Sequence, residues 1–282
     1  MGSLNGGKPN GGAAGDGFVA GGRRPRVELP AGTLFVGDLH VDVDRPEELE
    51  QFEALLLELG RAPAAVFVGD VFEYWIGPSQ GETEGGRRAL LALRRAADRG
   101  TALHVVPGNR DFLLDAGFER ASGARLWPRG FCASLGADRE LLVLHGDELC
   151  TLDVNYLRLR RVLRSRALLW LAPRLPRGIA RAIAARLRRA SRRALAHKPR
   201  AEAEQQEDAA RQMARAEGAE VLLCGHAHRF RDQLLAGGPR WIVLDAWRHG
   251  KDLVRLGAGG ELDAFSSGAN GDANSGGAAA IL

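Results

Sequence analysis

The chain has 282 residues and a mass of 30.3 kDa, with 39 Lys+Arg against 35 Asp+Glu, a net charge of +4. That length supports one large domain or two modest ones, and the ordinary apolar share of 45% needs no disulfide or metal staple to build a core. The mild charge does not by itself imply nucleic acid. The longest uninterrupted apolar run, 167–172, is far below the roughly 20 residues of a spanning helix, and the first 22 residues have no apolar stretch of the signal-peptide kind. Cys132, Cys150 and Cys224 are odd in number and widely spaced, which reads as reduced thiols of a cytoplasmic protein.

In chain order, residues 1–26 are Gly/Asn/Pro-rich and are expected to form a disordered arm. Strand-like runs follow at 34–36, 64–68, 103–106, 141–144, 221–224, 241–244 and 253–256. Helical periodicity lies between them at 46–59, where Leu49, Phe52, Leu55, Leu56 and Leu59 share a face, and at 87–99 and 112–122. Residues 259–282 are expected to be a mostly disordered Gly/Ala-rich tail, with 262–265 able to add a last short strand. The alternation indicates an α/β domain over 27–258, layered around a buried sheet.

One stretch breaks the rhythm. Residues 153–200 contain no strand-like run and read as a helical insertion, and from Val154 to Arg200 there is no Asp or Glu. Arginines such as Arg158, Arg160, Arg161, Arg164 and Arg166 alternate with Leu157, Val162, Leu168, Leu169, Trp170 and Leu171. Three readings compete: an anionic membrane surface or acyl chains, nucleic-acid phosphates, and a solvated face over ordinary core. The apolar interleave favours the first. The lack of an aromatic stacking platform argues against nucleic acid.

Five polar clusters sit at the ends of apolar runs: Gly37-Asp38-Leu39-His40, Gly69-Asp70, Gly108-Asn109-Arg110-Asp111, His145-Gly146-Asp147 and Gly225-His226-Ala227-His228. In an α/β sheet the C-terminal strand ends share one edge, so clusters distant in sequence converge there. Each alone is weak, because a Gly-Asp after a strand is usually a turn. Together they bring two Asp, one Asn and four His to one place. Carboxylate plus imidazole suits divalent Mn, Fe, Zn, Co or Ni. Seven such groups exceed the needs of one ion and suit two ions about 3.5–4 Å apart, the clamp used for displacement at phosphorus. The glycines are expected to let the chain turn tightly beneath each ligand.

This ordered set resembles the calcineurin-like metallophosphoesterases over about residues 33–258. The resemblance implies a four-layer α/β/β/α sandwich with two metal ions, one held by Asp38, His40, Asp70 and His228, the other by Asp70, Asn109, His145 and His226. A narrower similarity is to the UDP-2,3-diacylglucosamine hydrolases of lipid A biosynthesis. It is carried by 69–77 (GDVFEYWIG), 108–114 (GNRDFLL), 145–151 (HGDELCT), 225–229 (GHAHR) and 243–247 (VLDAW). It implies manganese as the expected ion and an acylated UDP-sugar as substrate. Water attack at the α-phosphorus would yield UMP and the acylated sugar 1-phosphate. Asp70, Asn109, Arg110 and His226 would be catalytic, and Asn109, Arg110, Asp153, Ser191, Lys198 and His226 would contact substrate. Asp111 and Asp147 are expected to orient the His ligands. The insertion at 153–200 would be a lipid-binding cap, placing a monomeric, cytoplasmic enzyme on the inner-membrane surface. Leu195 stands where another polar cap contact is usual, and Asp245 where the family tends to have Gly. The alternative is a metallophosphoesterase acting on another nucleotide or phosphoester.

Overall fold

The computed structural model describes residues 23–176, 178–183, 185, 186, 189 and 204–267. The expected arm and tail therefore fall largely outside the described residues, as do Ser191, Leu195 and Lys198.

Two six-stranded sheets make up the frame. One contains β12 (Leu262–Phe265), β11 (Leu253–Leu256), β2 (Leu34–Val36), β3 (Ala64–Val68), β4 (Ala102–Val106) and β5 (Arg125–Leu126), in that spatial order. The other orders β1 (Arg26–Val27), β6 (Phe131–Ser134), β7 (Glu140–Val143), β8 (Val221–Cys224), β10 (Arg240–Val243) and β9 (Arg231–Leu234). β2, β3 and β4 run parallel, and so do β7, β8 and β10.

Period-two alternation distributes each strand between two cores. Phe35, Val66, Val68, Val106, Leu141, Val143, Leu223 and Ile242 fill the space between the sheets. Leu34, Val36, Ala65, Phe67, Leu103 and Val105 point outward, under α1 (Pro46–Leu59) and α3 (Glu84–Asp98). Leu142, Leu222, Cys224, Trp241 and Val243 point the other way, under the helix Glu207–Glu217. Strands covered on both faces read as unbroken apolar runs, which is why they were legible. The layers are α/β/β/α, as expected.

The same packing explains what periodicity did not reveal. The helix Glu207–Glu217 buries chiefly Ala210 and Ala214, so it has no large apolar stripe to show. β6 is the short run Phe-Cys-Ala-Ser, and β9 is a half-exposed edge. The expected arm reached residue 26, but its last residues are built into the domain. Arg26 pairs with Cys132 in β1, and the Arg24 guanidinium bridges Glu148 at 2.7 Å and Glu217 at 2.9 Å. At the other end, 262–265 does form the closing strand β12.

Within the stretch 153–200, α5 (Val154–Leu163), α6 (Arg166–Leu171) and residues 178–183 are helical. Asp153 caps α5 by accepting from the Tyr156 N–H, and Ser165 caps α6 by accepting from the Leu168 N–H. Ala180 and Leu175 pack on Tyr74 and Ile76, and Arg181 bridges Asp44 at 2.6 Å.

Candidate metal centre

The parallel strands bring all five clusters to one edge. Asp38 and His40 follow β2, Asp70 follows β3, Asn109 and Arg110 follow β4, His145 follows β7, and His226 and His228 follow β8. Five of these side chains sit on left-handed backbone: Asp38 (φ 52°), His40 (φ 51°), Asp70 (φ 47°), His226 (φ 72°) and His228 (φ 50°). Such conformations cost on the order of 1–3 kcal/mol each and mark functional sites. The ligand residues thus share the turns expected of the glycines, of which Gly69 (φ 89°) and Gly146 (φ 108°) are themselves left-handed. Gly108 and Gly225 supply room instead. A Cβ on Gly108 would lie 2.0 Å from Asp70 Oδ1, and one on Gly225 would lie 2.4 Å from Asp38 Oδ2.

The side chains converge in two linked groups. His40 Nε2 and His228 Nε2 are 3.0 Å apart, and Asp38 Oδ1 is 3.5 Å from His228 Nε2 and 4.0 Å from His40 Nε2. Asn109 Oδ1 and His226 Nδ1 lie 3.0 and 3.2 Å from His145 Nε2, with Asp70 Oδ2 at 3.8 Å. Asp70 Oδ2 also reaches His40 Nδ1 at 4.0 Å, so it stands between the groups. All seven residues expected as ligands are therefore brought together. Arg110 joins them: its N–H donates to Asp70 Oδ1 at 2.9 Å, its Nε lies 3.6 Å from Asp70 Oδ2, and its guanidinium pairs with Glu73. Asp153 is buried at the N-cap of α5.

The acids expected to orient imidazoles do something else. Asp111 accepts from the Gly108 N–H at 2.7 Å and the Val71 N–H at 2.8 Å, tying two ligand loops together. His145 is instead held through Nδ1, 3.3 Å from the Val68 carbonyl, which leaves Nε2 facing the cluster. Asp147 faces α5, accepting from Tyr156 Oη at 2.7 Å and Arg160 Nε at 2.6 Å. Arg164, one turn further, donates to the Gly108 carbonyl at 2.8 Å. The Tyr156 ring stacks beside His226, centroids 6.4 Å apart. Gln205 Nε2 donates to the carbonyls of Gly146 and Gly225, joining the His145 and His226 loops. The sequence reading missed Glu73, Gln205 and the α5 grip. The 156/160/164 spacing, one helical face, is the signal that could have revealed the last.

The calcineurin-like phosphoesterase profile matches residues 32–230. This chain belongs to that family. It is 39% identical over 226 residues, covering 79% of itself and 90% of the relative, to a UDP-2,3-diacylglucosamine hydrolase of Nitrosococcus oceani. It is 36% identical, over 82% of itself and 97% of the relative, to the enzyme of that name from Pseudomonas paraeruginosa, and 35% identical at the same coverage to that of Pseudomonas aeruginosa.

Does the site of this phosphoesterase suit the divalent metals its family uses? Asp38 Oδ1 and His40 Nδ1 are buried with no hydrogen-bond partner among the described residues, an arrangement costly without a cation. Burial pushes the Asp70 carboxyl up to about 7, Asp111 and Asp38 adding to the push and His145 and Arg110 opposing it. Burial lowers His40 to about 3, helped by Arg110, and His226 to about 4, helped by His145, so both imidazoles are neutral and able to ligate. Two sets, Asp38–His40–His228 and Asp38–Asp70–His145, hold their ligand atoms within 4.8 Å of one another. The residues fit a divalent metal centre.

Proposed function

We propose that this phosphoesterase hydrolyses UDP-2,3-diacylglucosamine to UMP and 2,3-diacylglucosamine 1-phosphate, a step of lipid A biosynthesis. The observation that carries this reading is the convergence of seven metal-type ligands and Arg110 at one strand edge, in a chain 35–39% identical to hydrolases of that name.

One ion would sit with Asp38, His40, Asp70 and His228, the other with Asp70, Asn109, His145 and His226, and manganese is the ion proposed. Such a pair supplies a nucleophilic water at neutral pH and offsets phosphoryl charge. The protein does the rest. Asn109 and His226 orient the α-phosphoryl oxygens. Water attack at the α-phosphorus breaks its bond to the bridging oxygen, and charge moves onto the departing sugar phosphate. Arg110, steadied by Glu73 beside Asp70, is the planar donor for that charge, a role Lys would fill poorly. Asp153, Ser191 and Lys198 would contact the sugar half.

The stretch 153–200 acts as the cap for the acyl chains. Of eleven exposed large apolar side chains among the described residues, all but Leu57, Leu91 and Leu234 lie between 152 and 183. No described helix is long and apolar enough to cross a membrane, so the contact proposed is peripheral, by a monomer on the cytoplasmic face of the inner membrane. The test is incubation with Mn²⁺ in ¹⁸O-water and a panel of UDP-sugars with and without acyl chains. Acyl-dependent release of UMP carrying the label is expected. Equal release from unacylated UDP-sugars, or label in the sugar phosphate, would overturn the reading.

A further inference from the structure

A cleft of about 400 Å³ opens beside the metal centre, and none of the roles above uses it. Leu39 and His40, at one end of the ligand cluster, form part of its wall; Glu48 and Gln51 of α1 and Trp247, Arg248 and His249 of the loop after β10 form the rest. Its size is that of a small-ligand site.

The loop is built rather than slack. Arg248 holds left-handed backbone (φ 70°), costly for an arginine, and its N–H donates to Asp252 at 2.7 Å. Asp252 is fully buried and also accepts from the N–H and hydroxyl of Ser267. The Arg248 guanidinium reaches across to Gln51 Oε1, joining the two walls.

The lining says what fits. A carboxylate, an amide, a guanidinium and an imidazole would each lose hydration to an acyl chain without compensation. Exposed apolar surface is concentrated instead at 152–183, which meets the domain at two places: α5 reaches the His226 and Asn109 end of the centre, and Leu175, Ala180 and Arg181 rest on Tyr74, Ile76 and Asp44. The cleft opens at the His40 end. A substrate with its reacting phosphorus at the centre and its lipid half toward α5 has its other half here.

We propose that this cleft is the nucleoside site: the ribose diol bonds the Glu48 carboxylate, and the base lies against Trp247 with its carbonyl oxygens toward Gln51 and Arg248. The inference rests on the UDP-sugar reading and gives Trp247 of the 243–247 motif a function. Glu48 Oε2 already accepts from the Asp42 N–H at 2.8 Å and Oε1 pairs with Arg45 at 2.7 Å, so each oxygen would meet a ribose hydroxyl with its remaining lone pair, as carboxylates do in dinucleotide sites. Base-on-aromatic stacking needs only a π-face.

The test is calorimetric titration of the Mn²⁺-loaded full chain with UMP, 2′-deoxy-UMP and inorganic phosphate. Trp247→Ala removes the stacking surface and Gln51→Trp fills the cleft without emptying any core, so a folding defect in one leaves the other to decide. Each is expected to weaken UMP at least tenfold while moving phosphate less than twofold. Glu48→Gln is expected to erase the preference for UMP over its 2′-deoxy analogue. UMP affinity unchanged in both Trp247→Ala and Gln51→Trp, or lost in step with phosphate, would overturn the proposal. So would variants that weaken the acyl-sugar phosphate and not UMP. If the acylated UDP-sugar is not turned over by the unaltered enzyme, the substrate reading fails, yet a UMP site lost in Gln51→Trp would stand. If turnover is normal and UMP is indifferent to both variants, the cleft assignment fails alone.

Discussion

The strand-edge cluster and the helical stretch at 152–183 invert the rule of burial in opposite directions. The cluster buries charge: Asp38, Asp70 and His145 are each at most 3% exposed, and five of its side chains hang from left-handed backbone. The helical stretch exposes apolar surface, with Val162 and Trp170 each 61% exposed. Neither arrangement stabilises the fold. The two inter-layer cores and the inter-sheet core carry that load, and the inverted regions are positioned by them. The cluster draws its rigidity from strands on both sheets. α5 depends on a few polar anchors to the cluster, chiefly Asp147, whereas Leu175, Ala180 and Arg181 rest on Tyr74, Ile76 and Asp44.

The comparison is broken most severely at Asp70, which stands between the two ligand groups. Asp70→Asn removes the shared carboxylate while keeping its shape. A loss of roughly a thousandfold or more in Mn²⁺-dependent turnover is expected, with metal content per chain, read by elemental analysis, falling below that of the unaltered protein. Retained turnover would show that the two groups do not act together. Next is Gly108→Ala. The added methyl would lie 2.0 Å from Asp70 Oδ1, so the carboxylate must move. About a hundredfold loss of rate is expected, the scale of an ångström-sized misplacement, with a lowered melting temperature.

The anchor between the regions is tested by Arg164→Ala. Arg164 is 8% exposed, donates to the Gly108 carbonyl and lies 3.9 Å from Asp147. Its loss leaves buried acceptors short of a charged donor, worth about 2–3 kcal/mol, and should slow turnover about tenfold by loosening the Asn109 loop. A stability loss with no change in rate would mean that the cap anchors do not shape the centre.

Much of this site is legible in the amino-acid sequence. The five clusters were visible because each ends a strand covered on both faces, and such strands announce themselves as apolar runs. Convergence at one edge then followed from parallel topology. What stayed hidden was hidden for physical reasons. No residue type announces that Asp38 or His228 adopts positive φ, since Asp and His merely tolerate it. Tyr156, Arg160 and Arg164 were lost in a stretch where arginine is everywhere. Only the buried partner Asp147, thirteen and seventeen residues upstream of them, distinguishes the anchoring Arg160 and Arg164 from the solvated arginines. The helix Glu207–Glu217 packs through alanines, which leave no stripe.

Asp147 also gives the anchor a pH dependence. Burial works against its charge, but Arg164 and Arg160 overcome it and hold its carboxyl far below the usual range. A carboxyl lowered in the folded state contributes stability above its unfolded value, near 4, and loses it as pH falls from there. The metal-free protein should therefore lose melting temperature steadily below about pH 4 through this group. Asp147→Asn should be less stable at pH 7 and show a shallower acid slope in the same thermal scans. Parallel slopes in the two proteins would assign the acid sensitivity elsewhere.

The smallest expected effect on the fold falls in the exposed apolar surface. Trp170 contributes nothing to the buried clusters, and its ring lies under the Arg174 guanidinium, 4.1 Å away. Trp170→Ser therefore removes little that the folded state has gained, and its stability should stay within about 0.5 kcal/mol of the parent. An interfacial tryptophan next to a guanidinium is nevertheless a strong membrane anchor, because the indole enters the headgroup region while the cation meets anionic lipid. Co-sedimentation with vesicles containing anionic phospholipid should fall several-fold in Trp170→Ser, while a neutral exposed site such as Leu57→Ser leaves it unchanged. The pair separates two explanations of the same exposure. If both substitutions are silent in sedimentation, the apolar surface at 152–183 serves the acyl chains of a substrate already extracted from the bilayer. If Trp170→Ser alone weakens binding, the surface that does not stabilise the fold is what brings the buried centre to its substrate.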